Sequence, residues 1–103
     1  MPDNALTMVE GSALSARQKK DLLNRLARIE GQLRGVQKLI AHAAAPSDCD
    51  AVAQQMAAAR KALDRSFILL LTNCIVNQSA NAQDLAQSQA GASRLAAMFD
   101  KFA

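Results

Sequence analysis

Residues 47–78 read SDCDAVAQQMAAARKALDRSFILLLTNCIVNQ, a stretch with neither Gly nor Pro. Ala, Leu, Gln, Lys and Arg lose little on entering a helix, and they dominate it. Pro46 closes whatever precedes. Ser47-Asp48-Cys49-Asp50 fits a capping box, with Asp50 at the third helical position. The pattern predicts one helix of about 30 residues, about 45 Å long at 1.5 Å per residue. A helix of that length in a chain of 103 residues cannot bury itself against one partner of its own. It calls for a second subunit.

Working outward, Ser15-Ala16-Arg17-Gln18 fits another capping box, with Ser15 as N-cap and Gln18 reaching back. Leu22, Leu26, Ile29, Leu33, Val36 and Ile40 then follow in alternating steps of four and three. That is a heptad seam on an amphipathic helix expected to continue through Ala45. Gly31 and Gly35 weaken this helix locally and leave room for another helix to approach. Beyond the long helix, Asn77-Gln78-Ser79-Ala80-Asn81 is expected to turn. A third helix follows from about Gln83, with a possible interruption at Gly91 and apolar positions at Leu85, Leu95, Met98, Phe99 and Phe102. Residues 1–14 read as a flexible tail and 15–103 as a single helical domain. The fold class is all-α, a three-helix protomer with a long central helix.

Composition agrees and excludes much else. Half of the chain is hydrophobic, yet it has three Phe and no Trp or Tyr, which makes a thin core that burial between subunits would complete. The longest apolar run, Phe67-Ile68-Leu69-Leu70-Leu71, is too short for a bilayer, so no membrane association is expected. Met1-Pro2-Asp3-Asn4 lacks the basic and apolar regions of a secretion signal, and two cysteines make no disulfide framework. A reducing cytoplasm is the expected compartment. With one His and no Cys-x-x-Cys, Gly-x-Ser-x-Gly, His-Glu-x-x-His or phosphate loop, nothing looks built to catalyse.

Cys49 and Cys74 stand 25 residues apart on the long helix. They are then about 37 Å apart and cannot meet within one chain. Their angular offset is about 20° from a whole number of turns, so both thiols face the same way. If two such helices pack antiparallel about a two-fold axis near residues 61 and 62, each Cys49 meets Cys74 of the partner subunit. Ala57, Ala58, Ala59 and Ala62 cluster at that midpoint, where small side chains permit close approach. The bland alternative is that both cysteines are small core hydrophobes. A helix N-terminus favours the Cys49 thiolate, while Asp48 and Asp50 oppose it.

The formal charge of +3 is concentrated on the first helix, where seven Lys and Arg between Arg17 and Lys38 face only Asp21 and Glu30. Arg17, Lys20, Arg28, Arg34 and Lys38 fall opposite the seam, Arg25 adds to the set, and Arg60, Lys61 and Arg65 lie near the proposed dyad. A two-fold oligomer would double these charges, which suits the phosphates of duplex DNA. A solvated charged face is the alternative reading. No helix-turn-helix is visible.

Arg25-Leu26-Ala27-Arg28-Ile29-Glu30-Gly31-Gln32-Leu33-Arg34-Gly35 resembles the first-helix signature of the CsoR/RcnR/FrmR family of bacterial repressors. Cys49 at the start of helix two, Gln54-Gln55-Met56-Ala57-Ala58-Ala59 and Ala62-Leu63 extend the likeness over roughly residues 15–102. The resemblance implies an all-helical antiparallel dimer that pairs into a tetramer, binds operator DNA, and releases it when an inducer occupies a site between subunits. Cys49 matches the family's first cysteine. The copper sensors place His and Cys 25 and 29 residues further on, where this chain has Cys74 and Gln78. Persulfide sensors keep both Cys positions, so Cys74 lies one turn earlier than their second thiol. Nickel, cobalt and formaldehyde members use the same His, often with a ligand near the N-terminus. Here the only His, His42, ends helix one and reads as a solvated residue, and residues 43–45 form an insertion.

The sequence therefore points to a repressor released when the Cys49–Cys74 dithiol reacts with persulfide or polysulfide. It requires no cofactor. Cu(I) held by the same two thiols is the alternative inducer, since soft thiolates select it. Two rivals come from other classes: a thiol-dependent sulfurtransferase or peroxidase, and a helical assembly module that never touches DNA. The lack of a general base near either thiol argues against the enzyme.

Overall fold

A computed structural model describes residues 13–81 and 84–102, and it is helical throughout: α1 spans Ala16–His42, α2 Asp48–Asn81 and α3 Leu85–Phe102. Among the described residues there is no strand, and no helix is long and apolar enough to cross a membrane. The three-helix, all-α expectation holds.

The cap of α1 forms as its sequence dictates. Ser15 N–H donates to Gln18 Oε1 at 2.8 Å, and Gln18 N–H donates to Ser15 Oγ at 3.1 Å. Two of the orphan donors of a helix start are thereby satisfied reciprocally. Residues 1–12 of the expected tail lie outside the described residues. At its end, the Ala13 carbonyl accepts a hydrogen bond from Asn77 Nδ2 at 2.8 Å.

The connection between α1 and α2 departs from expectation. α1 ends at His42 rather than Ala45. The His42 ring Nδ1 lies 2.8 Å from the Lys38 carbonyl, and Ala43 N–H donates to the Ile40 carbonyl at 3.2 Å. In place of a Ser47–Asp50 box, the Asp48 carboxylate turns backward. Its Oδ2 accepts from the N–H groups of Ala44 and Ala45, both at 2.9 Å, and so closes the extra residues of the connection. These two backbone donors hold the Asp48 carboxyl below its ordinary value of 3.8. A depressed carboxylate contributes stability above its unfolded pKa and loses it as pH falls through the folded value. The amide proton shifts of Ala44 and Ala45 should therefore stay constant from neutral pH down to the ordinary carboxylate range, then titrate together at lower pH. In Asp48→Asn that step should vanish; an unchanged titration would remove Asp48 as its cause.

The chain divides into two compact units, each with its own small core. Within residues 22–67, the seam splits by alternate positions. Leu22, Ile29 and Val36 are 8%, 6% and 5% exposed, whereas Leu26, Leu33 and Ile40 are 39%, 49% and 55% exposed. Ala59 and Ser66 are buried on α2, and the Ser66 hydroxyl is satisfied by donating to the Ala62 carbonyl at 3.0 Å. Among the described residues, nothing beyond the helix's own backbone comes within 4 Å of where a Cβ would stand at Gly31 or Gly35.

The other unit joins residues 13–21 to 68–102. Leu71 and Leu95 are its buried apolar side chains, with Ser15 and Asn77 as buried polar partners. The expected turn at 77–81 does not form; α2 continues to Asn81. Asp84 caps α3, its Oδ1 accepting from Gln87 N–H at 2.6 Å. α3 runs unbroken through Gly91, which is buried. A Cβ there would run into the Gln78 side chain, so the glycine allows a close approach rather than a break. Of the other apolar positions on α3, Leu85, Phe99 and Phe102 are exposed.

Candidate functional site

Cys49 stands in the first turn of α2 with its thiol free and exposed. Cys74 lies toward the other end of the same helix, free and half-buried. Neither is a sealed core residue, so the small-hydrophobe reading does not describe Cys49. Both first-turn carboxylates of α2 flank Cys49, and that of Asp48 is engaged by Ala44 and Ala45.

Gln78, one turn after Cys74, is occupied. Its Oε1 accepts from Arg94 Nη2 at 3.0 Å, and its side chain lies against Gly91. No group of three His, Cys, Asp or Glu that could hold a metal occurs among the described residues. His42 sits at the exposed end of α1, bonded to its own helix. The described residues thus offer sulfur from two positions on α2.

All eight candidate phosphate-binding residues, Arg17, Lys20, Arg25, Arg28, Arg34, Arg60, Lys61 and Arg65, are exposed on α1 or α2. Arg25, Arg28 and Arg65 come together. With Gln32, Ile29, Ala62 and Ser66 they line an open cleft between α1 and α2 within residues 22–67. Three guanidinium groups around one cleft suit an anionic oxygen array, since each offers a rigid fork of donors. Arg60 instead edges an apolar cleft with Leu33, Val36, Met56 and Leu63. Arg34 and Lys61 join neither cleft, and Arg17 and Lys20 belong to the first turns of α1.

Reading the chain alone missed Asn77, Gln32 and Arg94. Asn77 had a signal: a polar residue one helical turn past Cys74 on a strongly apolar stretch. Arg94 had none, because its partner is set by tertiary packing.

The structure thus sets two free thiols on one long helix and gathers three arginines around one cleft of an all-helical protomer. The profile of the metal-sensitive transcriptional repressor family matches residues 18–101, and the chain belongs to that family. Comparison with curated proteins and with solved structures gives no match.

Proposed function

We propose that this repressor binds operator DNA as a homodimer or homotetramer in the cytoplasm, and lets go when Cys49 and Cys74 of the partner subunit react with persulfide or polysulfide. Residues 15–103 act as one sensor and DNA-binding domain. In the first step the Cys49 thiolate attacks a sulfane sulfur. A sulfur–sulfur bond of the polysulfide breaks, and the shorter polysulfide leaves with the electron pair. The second thiolate then attacks the Cys49 sulfur of the resulting persulfide. Hydrosulfide departs, and a disulfide joins the subunits. The dithiol is oxidised by two electrons and the sulfane sulfur is reduced.

The observation that carries the sulfur inducer is the commitment of Gln78 to Arg94. Among the described residues this leaves no group of three His, Cys, Asp or Glu for a trigonal metal site. Cu(I) is the second reading, favoured by the metal-sensitive character of the family and by the softness of thiolates. Nickel and cobalt, which want nitrogen and oxygen donors as well, suit this site less. A catalytic role as sulfurtransferase or peroxidase is the reading from another class, and no imidazole base stands beside either thiol among the described residues.

Intact-mass spectrometry after separate exposure to polysulfide and Cu(I), with DNA release followed in parallel, tests the proposal. The expected result is a covalent dimer through Cys49 and Cys74 that no longer holds DNA. Stoichiometric copper with full release and no such linkage reverses the order of inducers. Repeated turnover of persulfide or peroxide would establish an enzyme instead.

A further inference from the structure

The carboxamide of Asn77 ties three pieces of chain together. Its Nδ2 donates to the Ala13 carbonyl at 2.8 Å and to Gln18 Oε1 at 2.6 Å. That same Oε1 accepts from Ser15 N–H at 2.8 Å, and Gln18 N–H donates to Ser15 Oγ at 3.1 Å. Asn77 and Ser15 are each only 5% exposed, so water does not replace these bonds readily. A buried polar network of this kind is rigid when complete and costly when half made. The capping box that starts α1 is therefore held from outside by a side chain of α2.

What lies on either side gives the network a use. Residues three and four apart on a helix are neighbours. Asn77 and Gln78 are the third and fourth residues after Cys74, and each is bonded to another segment: Asn77 to the α1 cap, Gln78 to Arg94 of α3. Directly after the cap come Arg17, Lys19 and Lys20, the basic first turns of α1. We infer that Asn77 is a positioning residue through which a covalent change at Cys74 reaches the basic start of α1.

The inference rests on the DNA-binding reading above. Adding a group to the half-buried Cys74 thiol demands room beside Asn77. A displacement of that turn by about one S–S bond length, ~2 Å, takes a 2.6 Å hydrogen bond out of range. Gln18 then keeps only its local partner, the first turn of α1 frays, and Arg17 and Lys20 lose their fixed positions. Linkage requires the reverse effect as well: DNA bound to that turn disfavours modification of Cys74.

The test uses a probe that is independent of the natural inducer. In the full-length Cys49→Ser protein, Cys74 is the only thiol, and its S–H adds across the carbon–carbon double bond of N-ethylmaleimide with no leaving group. Intact mass follows the adduct, and affinity for duplex DNA from upstream of the protein's own gene is measured before and after. The adduct should weaken DNA binding at least about tenfold in this background, and by less than about twofold when Asn77→Leu or Gln18→Met is added. Gln18→Glu keeps the acceptor and the capping box, so it should retain the full drop, which a merely structural role of the side chain does not predict. Gln18→Met breaks the same bond from the less buried side, should Asn77→Leu fail to fold. An equal drop in every variant, or none in the Cys49→Ser parent, overturns the inference and leaves the repressor reading standing. No binding of this DNA by unreacted wild-type protein overturns the repressor reading itself.

Discussion

The double variant Arg25→Ala/Arg65→Ala is expected to bind operator DNA about 10²–10⁴-fold more weakly than wild type, since each charge-assisted hydrogen bond contributes roughly 1.5–3 kcal/mol. The two guanidinium groups line one cleft, with Arg28 as its third cation. Each lost phosphate contact should also lower the salt slope of binding by about 0.9. Affinity measured across a salt series separates this from a folding defect, which would not alter the slope in proportion to the charges removed. Arg65→Lys keeps the charge but not the planar fork. It should therefore keep the slope and lose part of the affinity. An unchanged slope in the double variant would take this cleft off the DNA face.

Cys49→Ser should abolish the response to polysulfide while the reduced protein still binds DNA. The hydroxyl cannot take up sulfane sulfur at neutral pH, and the thiolate is the nucleophile throughout. Wild-type affinity should fall about 10–100-fold on treatment, whereas the variant's should not change. Cys74→Ser separates the two steps of the chemistry: Cys49 should gain sulfur by mass but form no cross-link. Release by that variant as complete as in wild type would show that the persulfide alone is the signal and that the intersubunit bond is dispensable.

Much of the architecture was legible because it rests on local rules. The Ser15–Gln18 box is a short-range code, and it forms with both reciprocal bonds. The long central helix follows from a run with no breaker. The junction at 43–50 was misjudged for a physical reason. Asp48 sits where it can cap either forward or backward, and the donors left by the early end of α1 at His42 drew it backward. Gly91 was read as a possible break because propensity is local, whereas its use, making room for Gln78, is tertiary. The heptad seam showed which residues are apolar but not which row faces inward. Alternate positions are buried within the protomer, and Leu26, Leu33 and Ile40 are left outward. For the site, the thiols and the arginines were visible as residue types. The gathering of Arg25, Arg28 and Arg65 depends on how α1 and α2 lie together within residues 22–67.

The seat of Gln78 carries a lesson about mutational history. Its oxygen satisfies Arg94, and its chain fills the space that a glycine at 91 leaves open. Placing a cysteine at 78 by a single change would leave the exposed Arg94 guanidinium to water and open a void beside Gly91. Positions 78, 91 and 94 therefore form an epistatic triplet, in which the benefit of any one substitution depends on the other two. A route from a two-thiol detector to a three-ligand one passes through α3 first, by filling position 91 and releasing position 94. If the two thiols are the sensing site, inducer preference is guarded by packing on a helix that contributes no thiol of its own.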